Sequence, residues 1–321
     1  MELGVHLPLM QLDPEPLSPQ RLGAAVDAAR DCGFAAVAAN DHFVFAAPWL
    51  DGPTALASVI ERSGALELAT TIALAVPRSP VPLAKALGAI DLLSGGRLVA
   101  ALGPGSSPRD YEAVGVPFAE RWKRFDEAIP TVRALLAQEP CPPDAHYCAL
   151  PPDLVLAPGP RAIPLWVASW GSPAGLARVA RAGDGWLASA YNTTPERFAG
   201  ARAELAWRLA ERGREADSFP SALATMWTWV TEDAAERDRV LADVLAPVVR
   251  RDPSELAPHI CIGSAAHCAE VLSRYAQAGC ERVYLWPLGD ERRQLELVAS
   301  AVAPQVDDGG SRIDSTDMPQ S

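Results

Sequence analysis

Short apolar runs alternate with amphipathic stretches along almost the whole chain. Read as strands, the runs fall at 2–7, 34–40, 66–76, 97–102, 164–169, 185–189, 222–230 and 282–286. Helical periodicity fills the gaps, at 18–32, 53–63, 81–93, 119–138, 173–182, 194–212, 233–249 with 264–278, and 290–302. The punctuation repeats. Ser18-Pro19, Ser172-Pro173, Thr194-Pro195 and Ser264 each combine or supply a cap oxygen at a helix start, and Gly33, Gly183, Gly213 and Gly279 close those helices, where a left-handed residue is expected. Strand and helix alternating eight times predicts an α/β fold, a (β/α)8 TIM barrel; a doubly wound sheet gives the same local patterns, and the count of eight favours the barrel.

Two segments break the alternation. Residues 140–162 hold seven prolines and read as an insertion after the fourth helix, since proline cannot serve a central strand. Residues 304–321 are polar and turn-rich without periodicity, and are expected to form a disordered tail behind a single barrel domain spanning 1–303.

Composition narrows the function. Forty acidic residues against 28 basic ones give a net charge of −12, which argues against a nucleic-acid binder. No run approaches about 18 apolar residues and no basic, then apolar, leader opens the chain, so a cytoplasmic protein without membrane contact is expected. Six cysteines are scattered without a C-x-x-C pair, and His259, Cys261, His267 and Cys268 do not meet zinc spacing, so no metal is expected.

In such barrels the chemistry sits where strands end and loops lead to helices. That rule selects His6, then Asn40-Asp41-His42, Val76 with Arg78, then Gly103, Gly105, Ser106, Ser107, Arg109 and Tyr111, Ser169 to Ser172, and Ser189 to Asn192. A carboxylate beside an imidazole can position a proton near neutral pH, although an Asx-turn with a surface histidine is an equal reading of Asn40-Asp41-His42. Gly171-Ser172-Pro173 sets amides at a helix start, which attracts anions or serves only as a cap.

The strings Leu93-Ser94-Gly95-Gly96-Arg97, Leu102-Gly103-Pro104-Gly105, Asp110-Tyr111-Glu112-Ala113-Val114-Gly115-Val116-Pro117-Phe118 and Arg121-Trp122-Lys123-Arg124-Phe125-Asp126-Glu127 resemble the bacterial-luciferase-like flavin and deazaflavin oxidoreductases. The resemblance spans roughly 2–303 and is supported by Ala39-Asn40-Asp41-His42-Phe43. It implies a ring held over the strand ends, either FMN or the deazaflavin coenzyme F420. Asn40, Asp41, Ala75, Val76 and Gly103 would lie against that ring, with a cis peptide at Ala75–Val76. Ser169, Gly171 and Ser172 would bind the phosphate, and His42 or Asp41 would move a proton. His6, Trp49, Trp227 and Trp286 are the residues expected to face the substrate, and Arg78 or Arg109 would meet an anionic group. A glutamate that sugar-phosphate-oxidising relatives carry after the strand-four glycines is replaced by Ser106-Ser107-Pro108. The leading expectation is F420-dependent hydride transfer to or from a small organic substrate. An FMN-dependent monooxygenase, served by a separate flavin reductase, is the alternative, and a non-catalytic flavin-binding protein the third. A homodimer is implied by the same resemblance.

Overall fold

A computed structural model of the chain describes residues 1–151, 153–156 and 162–307. Seven parallel strands follow one another around a ring: β1 (Glu2–His6), β2 (Ala36–Ala39), β3 (Glu67–Leu74), β4 (Leu98–Gly103), β5 (Leu165–Ala168), β6 (Gly185–Ser189) and β7 (Ser221–Val230). A three-residue strand, β8 (Cys261–Gly263), pairs with the far end of β7 outside the ring. The last strand, β9 (Arg282–Pro287), pairs with β7 on one side and β1 on the other and closes an eight-stranded barrel. All eight expected strands are present; β8 is too short to leave a periodic signal.

The helices run α1 (Pro19–Asp31), α2 (Gly52–Ser58), α3 (Pro80–Ser94), α4 (Pro108–Ala113), α5 (Arg121–Ala137), α6 (Pro173–Ala182) and α7 (Pro195–Ala210). Then α8 (Ala234–Arg239) continues through a π-helical turn into α9 (Ala246–Val249), followed by α10 (Pro253–Leu256), α11 (Ala265–Gln277) and α12 (Glu291–Leu297). Ser18, Ser172, Thr194 and Ser264 cap α1, α6, α7 and α11, each accepting a hydrogen bond from the amide three residues on. Gly33, Gly213 and Gly279 are left-handed as expected. Gly183 is not: it is extended, with φ −93°, and a Cβ there would come within 3.0 Å of the Gly185 carbonyl oxygen. Crowding from β6, rather than handedness, calls for glycine at that position.

Alternation along the strands divides the core in two. Val37, Leu68, Ala100, Leu102 and Val167 point outward and pack under the helices, while Ala36, Ala38, Ala69, Ala101, Ala222 and Ala224 point into the barrel. Being buried on both faces, the strands read as continuous apolar runs. Trp166 and Tyr284 fill the lower interior, and glycines face them: a Cβ on Gly185 would come within 2.6 Å of the Trp166 ring, and one on Gly4 within 2.6 Å of the Tyr284 ring. Above these rings the inward positions are mainly alanine and glycine, so the barrel is plugged below and roomy at its mouth.

The described part of 140–162 holds no helix or strand. It is tied down by Glu127, whose carboxylate accepts from the Tyr147 and Cys148 amides at 2.6 and 3.1 Å. Of the expected tail, Pro304 and Gln305 belong to a short 3-10 turn, Ala303–Gln305, and the Asp307 amide donates to Ser273 Oγ; residues 308–321 lie outside the described residues. Among the described residues no helix is long and apolar enough to cross a membrane.

Candidate functional site

A cavity of about 410 Å³ opens at the C-terminal ends of β2 to β7. Its floor and walls are apolar where Ile72, Gly103, Ala168, Leu187 and Ala224 face it, and polar where Asn40, His42, Ser169, Ser172 and Thr225 do. Two irregular strands shape the floor. The register of β3 slips between Thr71 and Ala73, which brings both Thr71 and Ile72 to the mouth. On β7 the slip falls between Leu223 and Met226, and Thr225 there has φ +55°.

His6 lies directly beneath this floor and is fully buried. Its Nε2 accepts the Thr225 amide at 3.2 Å, so the ring proton is on Nδ1, 3.3 Å from Thr71 Oγ1. Burial lowers its pKa from 6.5 to about 3. The ring stacks on Trp286 at 4.3 Å, Trp286 stacks on Trp227 at 4.5 Å, and Trp49 meets Trp286 edge-on at 5.6 Å. The four residues expected to face substrate therefore form one packed cluster behind the cavity, none of them on its lining. That is a correction, and its cause is the β1–β9–β7 side of the mouth being filled by stacked rings.

His42 is placed differently. It lines the cavity, and its Nδ1 lies 2.7 Å from Oδ2 of the fully buried Asp110. The other Asp110 oxygen accepts the Phe43 and Val44 amides at 3.0 and 2.8 Å. Burial pushes the Asp110 carboxyl up, but the bonds from His42 and these amides outweigh it and hold it below the usual range. An ionised Asp110 only accepts, so Nδ1 carries the proton and Nε2 is left as the basic atom. Trp49 packs edge-on to the imidazole at 4.8 Å.

The neighbouring Asp41 does not share this role. Its carboxylate takes a two-pronged bond from Arg78, 2.6 Å at each oxygen, and accepts the Leu74 amide at 3.0 Å. It is buried and off the cavity lining, with Arg78 also bound to Asp51. Asp41 is thus an internal anchor rather than a proton-transfer group, and Arg78 is consumed by carboxylates. Asn40 does line the cavity, donating Nδ2 to the Thr71 carbonyl at 2.9 Å.

The cis peptide expected at Ala75–Val76 lies instead at Thr71–Ile72. Ala75 and Val76 are buried away from the cavity, the Ala75 amide donating to the Gly103 carbonyl oxygen at 2.9 Å, so the expectation that they back a ring is withdrawn. Gly103 is where expected: a Cβ on it would come within 2.5 Å of Ile72 Cδ1. Across the mouth, Ser169 and Ser172 line the cavity at the start of α6 while Gly171 stands just off it, its amide 3.2 Å from Ser169 Oγ. Gly175, one turn into α6, lines it too, and a Cβ there would run into Ser169 Oγ.

Sequence reasoning missed three contributors. Asp110 sits in α4, a six-residue helix with too little periodicity to be seen, although Ser107-Pro108 marks its start. Arg121, rather than Arg78 or the exposed Arg109, is the cation on the cavity wall; it donates to the Phe118 carbonyl and lies 4.0 Å over the Phe118 ring. Thr225 depended on a bulge that the sequence does not announce. Arg97, by contrast, is the structural residue expected, bonding Ser63, Ser94 and the Leu66 and Ile60 carbonyls.

Comparison with known proteins decides the family, because the model of the luciferase-like monooxygenases matches residues 1–302. The chain belongs to the luciferase-like monooxygenase family. Members of that family are oxidoreductases. An F420-dependent glucose-6-phosphate dehydrogenase of Amycolatopsis mediterranei (strain U-32) is 27% identical over 184 residues, 54% of this chain and 54% of that protein. An uncharacterised protein of Mycobacterium tuberculosis (strain ATCC 25618 / H37Rv) is 36% identical over 110 residues, 34% of this chain and 38% of that protein. The chain thus spans about two fifths to one half of the length of these curated relatives. Among solved structures, an F420-dependent secondary alcohol dehydrogenase in complex with an F420-acetone adduct superposes with TM-score 0.81, 16% identity and coverage of 96% of this chain and 99% of that one. At that identity the likeness speaks for the fold.

Proposed function

We propose that this luciferase-like protein is an F420-dependent oxidoreductase that exchanges a hydride with a small organic substrate, His42 handling the accompanying proton. The observation that carries the reading is the His42–Asp110 pair, which fixes one imidazole tautomer and leaves Nε2 as the basic atom of a titratable side chain on the β2 side of the cavity wall. The relatives named for F420 support the choice of coenzyme. The residues present fit such a ligand. Ile72, Gly103, Ala168, Leu187 and Ala224 make a narrow apolar bed for a flat ring, and the Gly103 and Gly175 positions have no room for a side chain. Ser169, Ser172 and the first amides of α6 would take the phosphate, favoured by the positive end of the helix, with Arg121 as the opposing cation.

When bound, the deazaflavin supplies hydride exchange. The chain's own part is acid–base. Nε2 of His42 accepts the hydroxyl proton of an alcohol being oxidised, or returns it to the oxygen of a carbonyl being reduced, while Asp110 compensates the imidazolium through Nδ1–H. Asp110 is a positioning residue. The packed rings of Trp49, Trp227 and Trp286 hold His42 from behind and keep water from that side.

Titrating the protein with F420 and with FMN, followed by tryptophan quenching, tests the coenzyme. Preference for F420 is expected, with His42→Ala lowering turnover about 100- to 10,000-fold and leaving coenzyme affinity within about threefold. Preference for reduced FMN would move the reaction to oxygen insertion; binding of neither would overturn the proposal.

A further inference from the structure

Thr225 holds an uncommon backbone conformation on the floor of the cavity. Five described residues other than glycine have positive φ, namely Ser79, Gln138, Thr225, Arg250 and Asp290. Of these Thr225, at +55°, is the one with a β-branched side chain and the one that lines the cavity. A branched side chain in the left-handed region is strained, and such strain persists where surrounding contacts fix it, most often at ligand sites. The contacts are plain here. The Thr225 amide donates to His6 Nε2 at 3.2 Å, its hydroxyl donates to the Ala224 carbonyl at 2.7 Å, and the same oxygen lies 2.8 Å from Ser189 Oγ.

The direction of the Ser189–Thr225 bond follows from the groups behind it. Arg251 donates to Asn192 Oδ1 at 3.2 Å, which turns Asn192 Nδ2 toward Ser189 Oγ, also at 3.2 Å. The Thr225 proton goes to the Ala224 carbonyl, so Ser189 is the donor to Thr225. Every donor in this row points away from the guanidinium, and both hydroxyl protons are spent within the protein. Each hydroxyl oxygen has accepted one bond and keeps one lone pair. Ser189 and Thr225 line the cavity beside apolar Leu187, Ala188 and Ala224, so this stretch of floor accepts a hydrogen bond and cannot give one. We infer that Ser189 and Thr225 set the register of the bound ring by accepting its imide N–H, a donor that deazaflavins and flavins share. The inference rests on the reading of the cavity as a ring site, and it holds for either coenzyme. A ring carbonyl in the same place would set acceptor against acceptor, and a buried N–H without this partner would lose its bond to water without return. Asn192 and Arg251, which act through the two hydroxyls, are positioning residues.

The test is equilibrium binding, followed by tryptophan quenching, of two compounds: the deazaflavin nucleoside of F420, which carries the ring and ribityl chain alone, and its derivative methylated on the imide nitrogen. The wild type is expected to bind the parent at least about tenfold tighter than the methylated compound. That comparison needs no substitution. In Ser189→Ala/Thr225→Val, which removes both acceptors and keeps the branched shape at 225, the parent should weaken about tenfold and the methylated compound change less than about threefold, so the ratio collapses. A steric clash with the added methyl would instead leave the ratio as it was. Ser189→Ala/Thr225→Gly, in which glycine takes the left-handed φ freely, repeats the measurement without the strain, and urea unfolding confirms that each variant is folded. Thr225→Ser, which restores the hydroxyl without the branch, should keep the wild-type ratio. Equal affinity for the two compounds in the wild type, or an unchanged ratio in both double variants, overturns the inference while leaving the cavity reading in place. Binding of neither compound overturns the cavity reading, and the inference with it.

Discussion

Protonating His6 should undo the floor of the cavity, and the cost can be worked from its surroundings. In the folded chain Nε2 faces the Thr225 amide, a donor, so a second proton would set two donors against each other in a fully buried site. Its pKa is accordingly about 3 when folded, against 6.5 for a free histidine. Between these values the unfolded chain binds a proton that the folded chain refuses, so lowering the pH favours unfolding. The stabilisation is intact above about pH 6.5 and falls by about 1.4 kcal/mol for each further pH unit, reaching about 2.7 kcal/mol at pH 4.5. Urea unfolding of the wild type and His6→Gln, measured from pH 7.5 to 4.5, isolates this contribution, because carboxylates titrate alike in both proteins and cancel in the difference. Whatever fixed penalty the glutamine carries, the stability gap between the two should close by about 2.7 kcal/mol on acidification. Parallel curves would refute the assignment, showing that His6 is charged or free to turn in the folded state.

Other expectations follow from neighbouring contacts. Asp110→Asn removes the carboxylate that fixes the His42 tautomer and should lower turnover about 10- to 100-fold while coenzyme affinity changes little, with partial recovery in Asp110→Glu; steady-state kinetics beside a binding titration would show it. Asp41→Asn leaves Arg78 poorly compensated in a largely buried setting, and thermal or urea unfolding should register a loss of about 3 kcal/mol, whereas the rate constant of the protein that remains folded should change less than in His42→Ala. Gly175→Ala drives a methyl into Ser169 Oγ, so coenzyme affinity should drop at least about tenfold at a stability cost of about 1–3 kcal/mol, measured by fluorescence titration and unfolding.

The barrel was legible in the sequence because its signals are local. Strands buried on both faces leave apolar runs, and Ser-Pro or Thr-Pro capping with glycine closure marks the helices between them; all eight strands and the caps at Ser18, Ser172, Thr194 and Ser264 could be read this way. The place of His42, Asn40, Gly103, Ser169 and Ser172 at the mouth follows from strand ends alone. Which of the mouth residues face the cavity does not, because neighbours in sequence are sorted by contacts from far along the chain. Asp41 is taken by Arg78, 37 residues on, and His42 by Asp110, 68 residues on. His6, Trp227 and Trp286 likewise stand at strand ends, yet they stack on one another and leave the open space to the β2–β7 side, where bulges at Thr71–Ala73 and Leu223–Met226 decide which residues reach it. Periodicity records which side of its own strand or helix a residue occupies; the partner that claims a carboxylate or fills a barrel mouth is fixed only when the ring closes and distant elements compete for the same space.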